Sequence, residues 1–125
     1  MWEWVPQPGH RSIRDIVQHV GGCKYMYENH AFGDGTSTWD DPLLAGQGVI
    51  GDKDSAVAWL QKGHDRLRRG IAALDDAELL RTRPHHSGKP KETRRIVWTM
   101  IRHDLYHAGE INHIRALHQQ NDEDE

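Results

Sequence analysis

The sequence predicts an all-α protein, a helical bundle with three main helices forming one domain over residues 1–120. Three long segments repeat apolar residues at helical spacing, no stretch alternates apolar and polar convincingly, and β-branched residues are sparse. At 125 residues the chain can bury one core but not two.

Residues 1–11, with Pro6, Pro8 and Gly9, read as a lead-in that ends where Ser12 can cap a helix. Asp15 stands three residues later, a capping box with Asp in place of Glu. Ile13, Ile16, Val20, Cys23 and Tyr27 then fall within about 80° of one another, predicting an amphipathic helix over 12–30. Gly21-Gly22 weakens it by up to about 1 kcal/mol per glycine relative to alanine. Residues 31–51, with five glycines and Pro42, read as a long loop of the kind that is functional or mobile in a small domain. A second helix is expected over 54–74, with the stripe Val57, Leu60, His64, Leu67, Ile71 and Leu74, followed by a short turn near Asp75–Leu80. Residues 81–90 carry turn chemistry and read as another loop. The last helix, over 92–119, is the longest, and residues 121–125 form an acidic tail expected to be disordered. Three helices leave a bundle with an open face. Either a further helix before Trp2 or a second chain is expected to close it, so a homodimer is anticipated.

Bulk properties exclude several function classes. No run approaches the ~18 apolar residues that span a bilayer, so no membrane association is expected. The start, Met1-Trp2-Glu3-Trp4, has neither a basic nor an apolar leader region. A lone cysteine, Cys23, excludes an internal disulfide framework and suits a reducing, cytoplasmic compartment. Net charge is −3, which argues against affinity built on phosphate neutralisation, and Arg94-Arg95 is too small a patch for a nucleic-acid partner.

Ten histidines in 125 residues are far more than a domain of this size needs, and they are dispersed rather than clustered as a tag. His10, His30, His85, His86 and His118 read as surface or cap residues. On the last helix, Ile96, Met100, His103, His107, Ile111, Ile114 and His118 all lie between about −20° and +60°, so His103 and His107 sit inside the apolar stripe. Two imidazoles one turn apart can grip one ion, and burying both unorganised is costly. A third ligand must come from a facing helix. His19 lies about 60° from Ile16 on the flank of its stripe, whereas His64 lies squarely within its own, and spacing does not choose between them. Cys23, one turn beyond His19, is either a thiolate candidate or a small buried hydrophobe. His103-Asp104-x-x-His107 mimics a zinc-protease motif. The helix continues past Glu110 through Ile111 and Ile114, however, and turns His113 away from His107.

The segment Ser12-Ile13-Arg14-Asp15-Ile16-Val17-Gln18-His19-Val20 resembles the second-helix signature of the DinB-like (DNA-damage-inducible) superfamily. His103-Asp104-Leu105-Tyr106-His107-Ala108-Gly109-Glu110-Ile111 resembles its other signature, two histidines four apart followed by Gly-Gln-Ile. The resemblance implies a DinB-like four-helix bundle and a metal triad of His19, His103 and His107, leaving His64 out. Glu110 departs from the family's glutamine and places a carboxylate where it can orient a ligand imidazole or serve as a fourth ligand. The family's first helix would precede Trp2, so a truncated or minimal member is expected. The implied cofactor is a divalent metal ion, with zinc, nickel or iron the leading choices. Three histidines leave a coordination position open, as catalytic sites do. The implied function is metal-dependent thiol S-transfer, with a low-molecular-weight thiol and a small electrophilic substrate as partners. A non-catalytic metal-binding stress-response protein is the alternative. No catalytic base is singled out among Asp104, Tyr106 and Glu110.

Overall fold

A computed structural model describes residues 1–124. The architecture is helical, in the order α1 (Ile13–Phe32), α2 (Pro42–Ala45), α3 (Lys53–Ala72), a 3₁₀ turn (Glu78–Leu80), β1 (Thr82–Arg83), β2 (Lys91–Glu92) and α4 (Thr93–Asp124). The three main helices stand where periodicity predicts them. Helix α1 begins at the expected cap: Ser12 Oγ accepts the Asp15 N–H at 3.1 Å and the Asp15 carboxylate accepts the Ser12 N–H at 3.0 Å.

Helix α1 is the central element, packed against α3, α4 and α2. It is therefore buried on more than one face, and Val17, Lys24, Tyr25 and Met26 join Ile13, Ile16, Val20 and Cys23 inside. One cluster gathers Ile13, Ile16, Val17, Val20, Ala56 and Ile114, with Trp2 and Trp4 of the lead-in packed on it. A second holds Tyr25, Met26, Leu44 and Trp59. Two polar tips there are satisfied, as buried aromatic hydroxyl and indole groups require: Tyr25 donates to Trp59 O at 2.7 Å, and Trp59 Nε1–H donates to Leu43 O at 2.7 Å.

The second main helix is turned from its expected face. Its inward residues are Ala56, Trp59, Gly63 and Leu67, roughly 60° from the predicted stripe, and Val57 is 51% exposed. The reason is glycine-mediated contact. A Cβ on Gly63 would stand 2.7 Å from the Tyr25 ring, one on Gly70 would stand 2.7 Å from the Phe32 ring, and one on Gly21 would overlap the Trp59 ring. The helices approach where side chains are absent, so Gly63 joins Trp59 and Leu67 on the buried side of α3 and the apolar stripe alone does not define it.

Two expected loops contain structure. The 31–51 segment includes α2, whose Leu44 is buried against α1 and α3 residues. The 81–90 segment starts in a short antiparallel ladder, with Thr82 opposite Glu92 and Arg83 opposite Lys91. Strands of two residues carry no alternation to be read. Arg83 anchors this hairpin by donating to Thr93 Oγ1 at 3.1 Å and to Glu78 at 3.0 Å, over the Phe32 ring. Helix α4 runs on through Asp124, past the start of the acidic tail at Asn121, since each added helical residue gains a hydrogen bond once a nucleus exists; the tail's last residue, Glu125, lies outside the described residues. No helix among the described residues is long and apolar enough to cross a membrane.

Candidate metal centre

Helix α1 contributes His19 and Cys23, one turn apart, and α4 contributes His103 and His107, also one turn apart. The crossing of the two helices brings all four side chains to one place. His19 and His103 meet with Nε2 to Nε2 at 2.9 Å. Ring centroids of His19 and His107 lie 4.8 Å apart, and those of His103 and His107 lie 4.4 Å apart. Cys23 Sγ stands 3.9 Å from His19 Nδ1. One nitrogen from each of His19 and His103 and the Cys23 sulfur lie within 4.8 Å of one another, a grouping compact enough to hold an ion. His107 stands against this group by its ring, outside that set of ligand atoms.

Helical packing dictates the electrostatics. Burial, chiefly, and the neighbouring His107 and His19 imidazoles lower the His103 pKa to about 4, against the opposing pull of Asp104. Burial also lowers that of His19, with His107 and Arg11 adding to the effect and Glu110 opposing it. Both imidazoles are accordingly neutral near pH 7 and offer lone pairs. Burial raises the Cys23 thiol to about 11, with Lys24 opposing. A carboxylate can only accept, so His107 donates its Nδ1–H to Glu110 Oε1 at 2.8 Å. That bond fixes the tautomer and leaves Nε2 as the free acceptor. Arg11 stands 3.8 Å from the other Glu110 oxygen.

The residues fit a divalent ion on this structure's own evidence. Two nitrogens that bind one tetrahedral zinc are separated by about 3.3 Å, close to the His19–His103 spacing. Burial keeps both facing imidazoles neutral, so each can present an Nε2 lone pair to one ion. Imidazole nitrogens with an adjacent sulfur suit zinc and its borderline neighbours.

His64 is elsewhere. Its Nδ1 lies 3.2 Å from Lys24 Nζ, beside the groove between α3 and α4. Lys24, which no sequence pattern marks as internal, is 3% exposed and donates to Asp104 Oδ2 at 2.8 Å. Its apolar neighbours on α1 are the sole hint, because charge normally signals a wet face. A cavity of about 290 Å³ in this groove is lined by Val17, Val20, Lys24, His64, Asp104 and His107, so the histidine cluster borders a space that could admit a ligand. His113 lines a different cavity with Trp4, His10 and Leu117, consistent with an unbroken helix rather than a protease turn. His85 and His86 pair at 4.2 Å between ring centroids and pack on Tyr27, so they are more than isolated surface residues.

The model of the DinB superfamily matches residues 1–111. Neither a curated protein nor a solved structure gives a match.

Proposed function

Because this chain belongs to the DinB superfamily, we propose that His19, His103 and His107 hold one divalent ion, zinc, nickel or iron, in a metal-dependent enzyme of the thiol S-transferase type. The observation that carries the reading is the convergence of neutral imidazoles from α1 and α4, with His19 Nε2 and His103 Nε2 at 2.9 Å. The Glu110 bond supports His107 as a ligand by orienting its ring. Cys23 lies at the edge of the centre as a protonated thiol.

A bound divalent ion lowers the pKa of a thiol beside it and makes thiolate available at neutral pH. The protein's own part is to hold His19 and His103 neutral, to orient His107 through Glu110, and to border the site with a partly apolar cavity. In the transfer, the cosubstrate's sulfur bonds to an electrophilic carbon, the leaving group departs with its electron pair, and the thiol proton goes to solvent. A cytoplasmic setting suits both a chain with one cysteine and a reduced low-molecular-weight thiol.

Metal analysis of protein purified without an affinity metal column tests the site. About one equivalent per chain is expected, lost in His103→Ala and His107→Ala and kept in Cys23→Ser and His64→Ala. Retention in His107→Ala with loss in Cys23→Ser would move the third ligand to the cysteine. Cobalt-substituted protein tests the chemistry: added thiols should shift its visible spectrum. An unchanged spectrum across several thiols would favour a non-catalytic metal-binding stress protein.

A further inference from the structure

A second cleft opens where the 81–90 hairpin meets the first turns of α4. It has a volume of about 340 Å³, within the range of small-molecule sites, and is lined by His85, Lys91, Arg95, Trp98, Thr99 and Arg102, with Ile96 at its base. Three cations and a histidine face this space and, among the described residues, no carboxylate lines it, although the chain as a whole carries a net charge of −3. Glu92 is engaged by Arg94 at 2.7 Å and stands 3.9 Å from Arg95. Like charges gathered this way repel one another, and a bound anion relieves the repulsion with charge-assisted hydrogen bonds.

Other lining groups add specificity. The Ser87 N–H donates to His85 Nδ1 at 3.1 Å, so the neutral His85 ring carries its proton on Nε2 as one more donor. Trp98 is 60% exposed and supplies an apolar wall. The cleft also lies on the cysteine side of the histidine cluster. Tyr27, one turn beyond Cys23, packs edge-on against His85 at 5.1 Å between ring centroids. Burial raises the Tyr27 pKa, Cys23 adds to that rise and Arg102 opposes it. Arg102 itself directly precedes His103, and Thr99 lies one turn before it.

We propose that this cleft is the subsite that holds the carboxylates of the thiol cosubstrate, with Lys91, Arg95 and Arg102 as the anion-binding residues and Trp98 beneath the ligand's backbone. The assignment of the bound anion to a thiol rests on the function proposed above. The site selects a small peptide-like thiol bearing carboxylates over a cationic or neutral thiol of equal reactivity.

The test uses S-methylglutathione, which keeps both carboxylates but has no free thiol, so its binding needs neither the metal nor a thiolate. Titration into the full chain should give a saturable change in tryptophan fluorescence in the millimolar range or below, absent in Trp98→Phe. Arg95→Gln/Arg102→Gln should weaken binding by about tenfold or more, the scale expected for losing two charge-assisted contacts. Lys91→Gln/Arg95→Gln, which leaves the neighbour of His103 untouched, should show a similar loss. No saturable signal, or unchanged affinity in both double variants, would overturn the proposal. Inorganic phosphate binding more tightly than S-methylglutathione would overturn the carboxylate assignment. If the cobalt spectrum ignores thiols while this binding and its loss are observed, the metal–thiol reading fails and the anion subsite stands.

Discussion

Lys24 Nζ lies 2.8 Å from Asp104 Oδ2, tying α1 to α4 at positions that directly follow Cys23 and His103. The ammonium is almost wholly buried, while the Asp104 side chain is 40% exposed. This asymmetry predicts unequal costs. Asp104→Ala strands a buried cation beside His64 and should destabilise the fold by about 3 kcal/mol. Lys24→Met replaces the buried charge with an apolar chain of similar length and leaves a carboxylate that water can reach, so it should cost less than about 1.5 kcal/mol. Urea unfolding of both variants checks the order, and equal costs would show that the pair does not act as described.

The depressed histidines predict an acid-sensitive fold for the metal-free chain. Folded His103 titrates near 4 and an unfolded histidine near 6.5, mainly because burial disfavours the charged ring. Below 6.5 the unfolded chain takes up a proton that the folded chain refuses, so the stability present above that pH is lost as the pH falls towards 4. Chelator-treated protein should therefore unfold at lower urea concentration at pH 5 than at pH 7. His103→Gln should flatten that dependence, and an identical slope in the variant would rule out this origin.

Close helix approach at Gly63 predicts an unusual response to alanine. Alanine favours helix over glycine by about 1 kcal/mol, yet its Cβ would stand 2.7 Å from Tyr25 Cε2. That ring is buried and its hydroxyl is held by Trp59 O, so it has little freedom to yield. Overpacking of this kind costs about 1–3 kcal/mol. Gly63→Ala should be net destabilising by about 1 kcal/mol or more, whereas Gly109→Ala, with open space around its Cβ, should stabilise. Thermal unfolding distinguishes the two.

Helix α4 also presents Ile101 and Leu105 to solvent, with Leu105 69% exposed. They fall within about 60° of one another on the helix. We propose this strip as the seat of the second chain anticipated from the sequence. Light scattering coupled to size exclusion should give about twice the 14.4 kDa chain mass, and Leu105→Lys should return a monomer. A monomeric parent protein would reject the dimer.

Much of the scaffold was legible because helices write their partners into local spacing. The Ser12 and Asp15 side chains make the cap that their separation allows. Ile96, Met100, His107 and Ile114 are buried and His103 and Ile111 partly so, in the stripe that a 100° step generates. His103 and His107 could thus be read as inward-facing from one helix alone. The face of α3 could not, since Gly63 and Gly70 contribute by lacking side chains and score as no signal in an apolar pattern. Lys24 was hidden for the opposite reason: its partner, Asp104, is eighty residues away in sequence.

The histidine cluster divides along the same line. Spacing within α4 determined that two imidazoles share one inward edge, since residues four apart stack on the same side of any helix. Whether His19 or His64 faced them depended on how α1 and α3 rotate and cross, which no single helix encodes. The tertiary structure sets His19 against His103 at 2.9 Å, brings Cys23 in behind it, and leaves His64 on Lys24. Local periodicity determined the pair; the crossing of α1 over α4 decided its company.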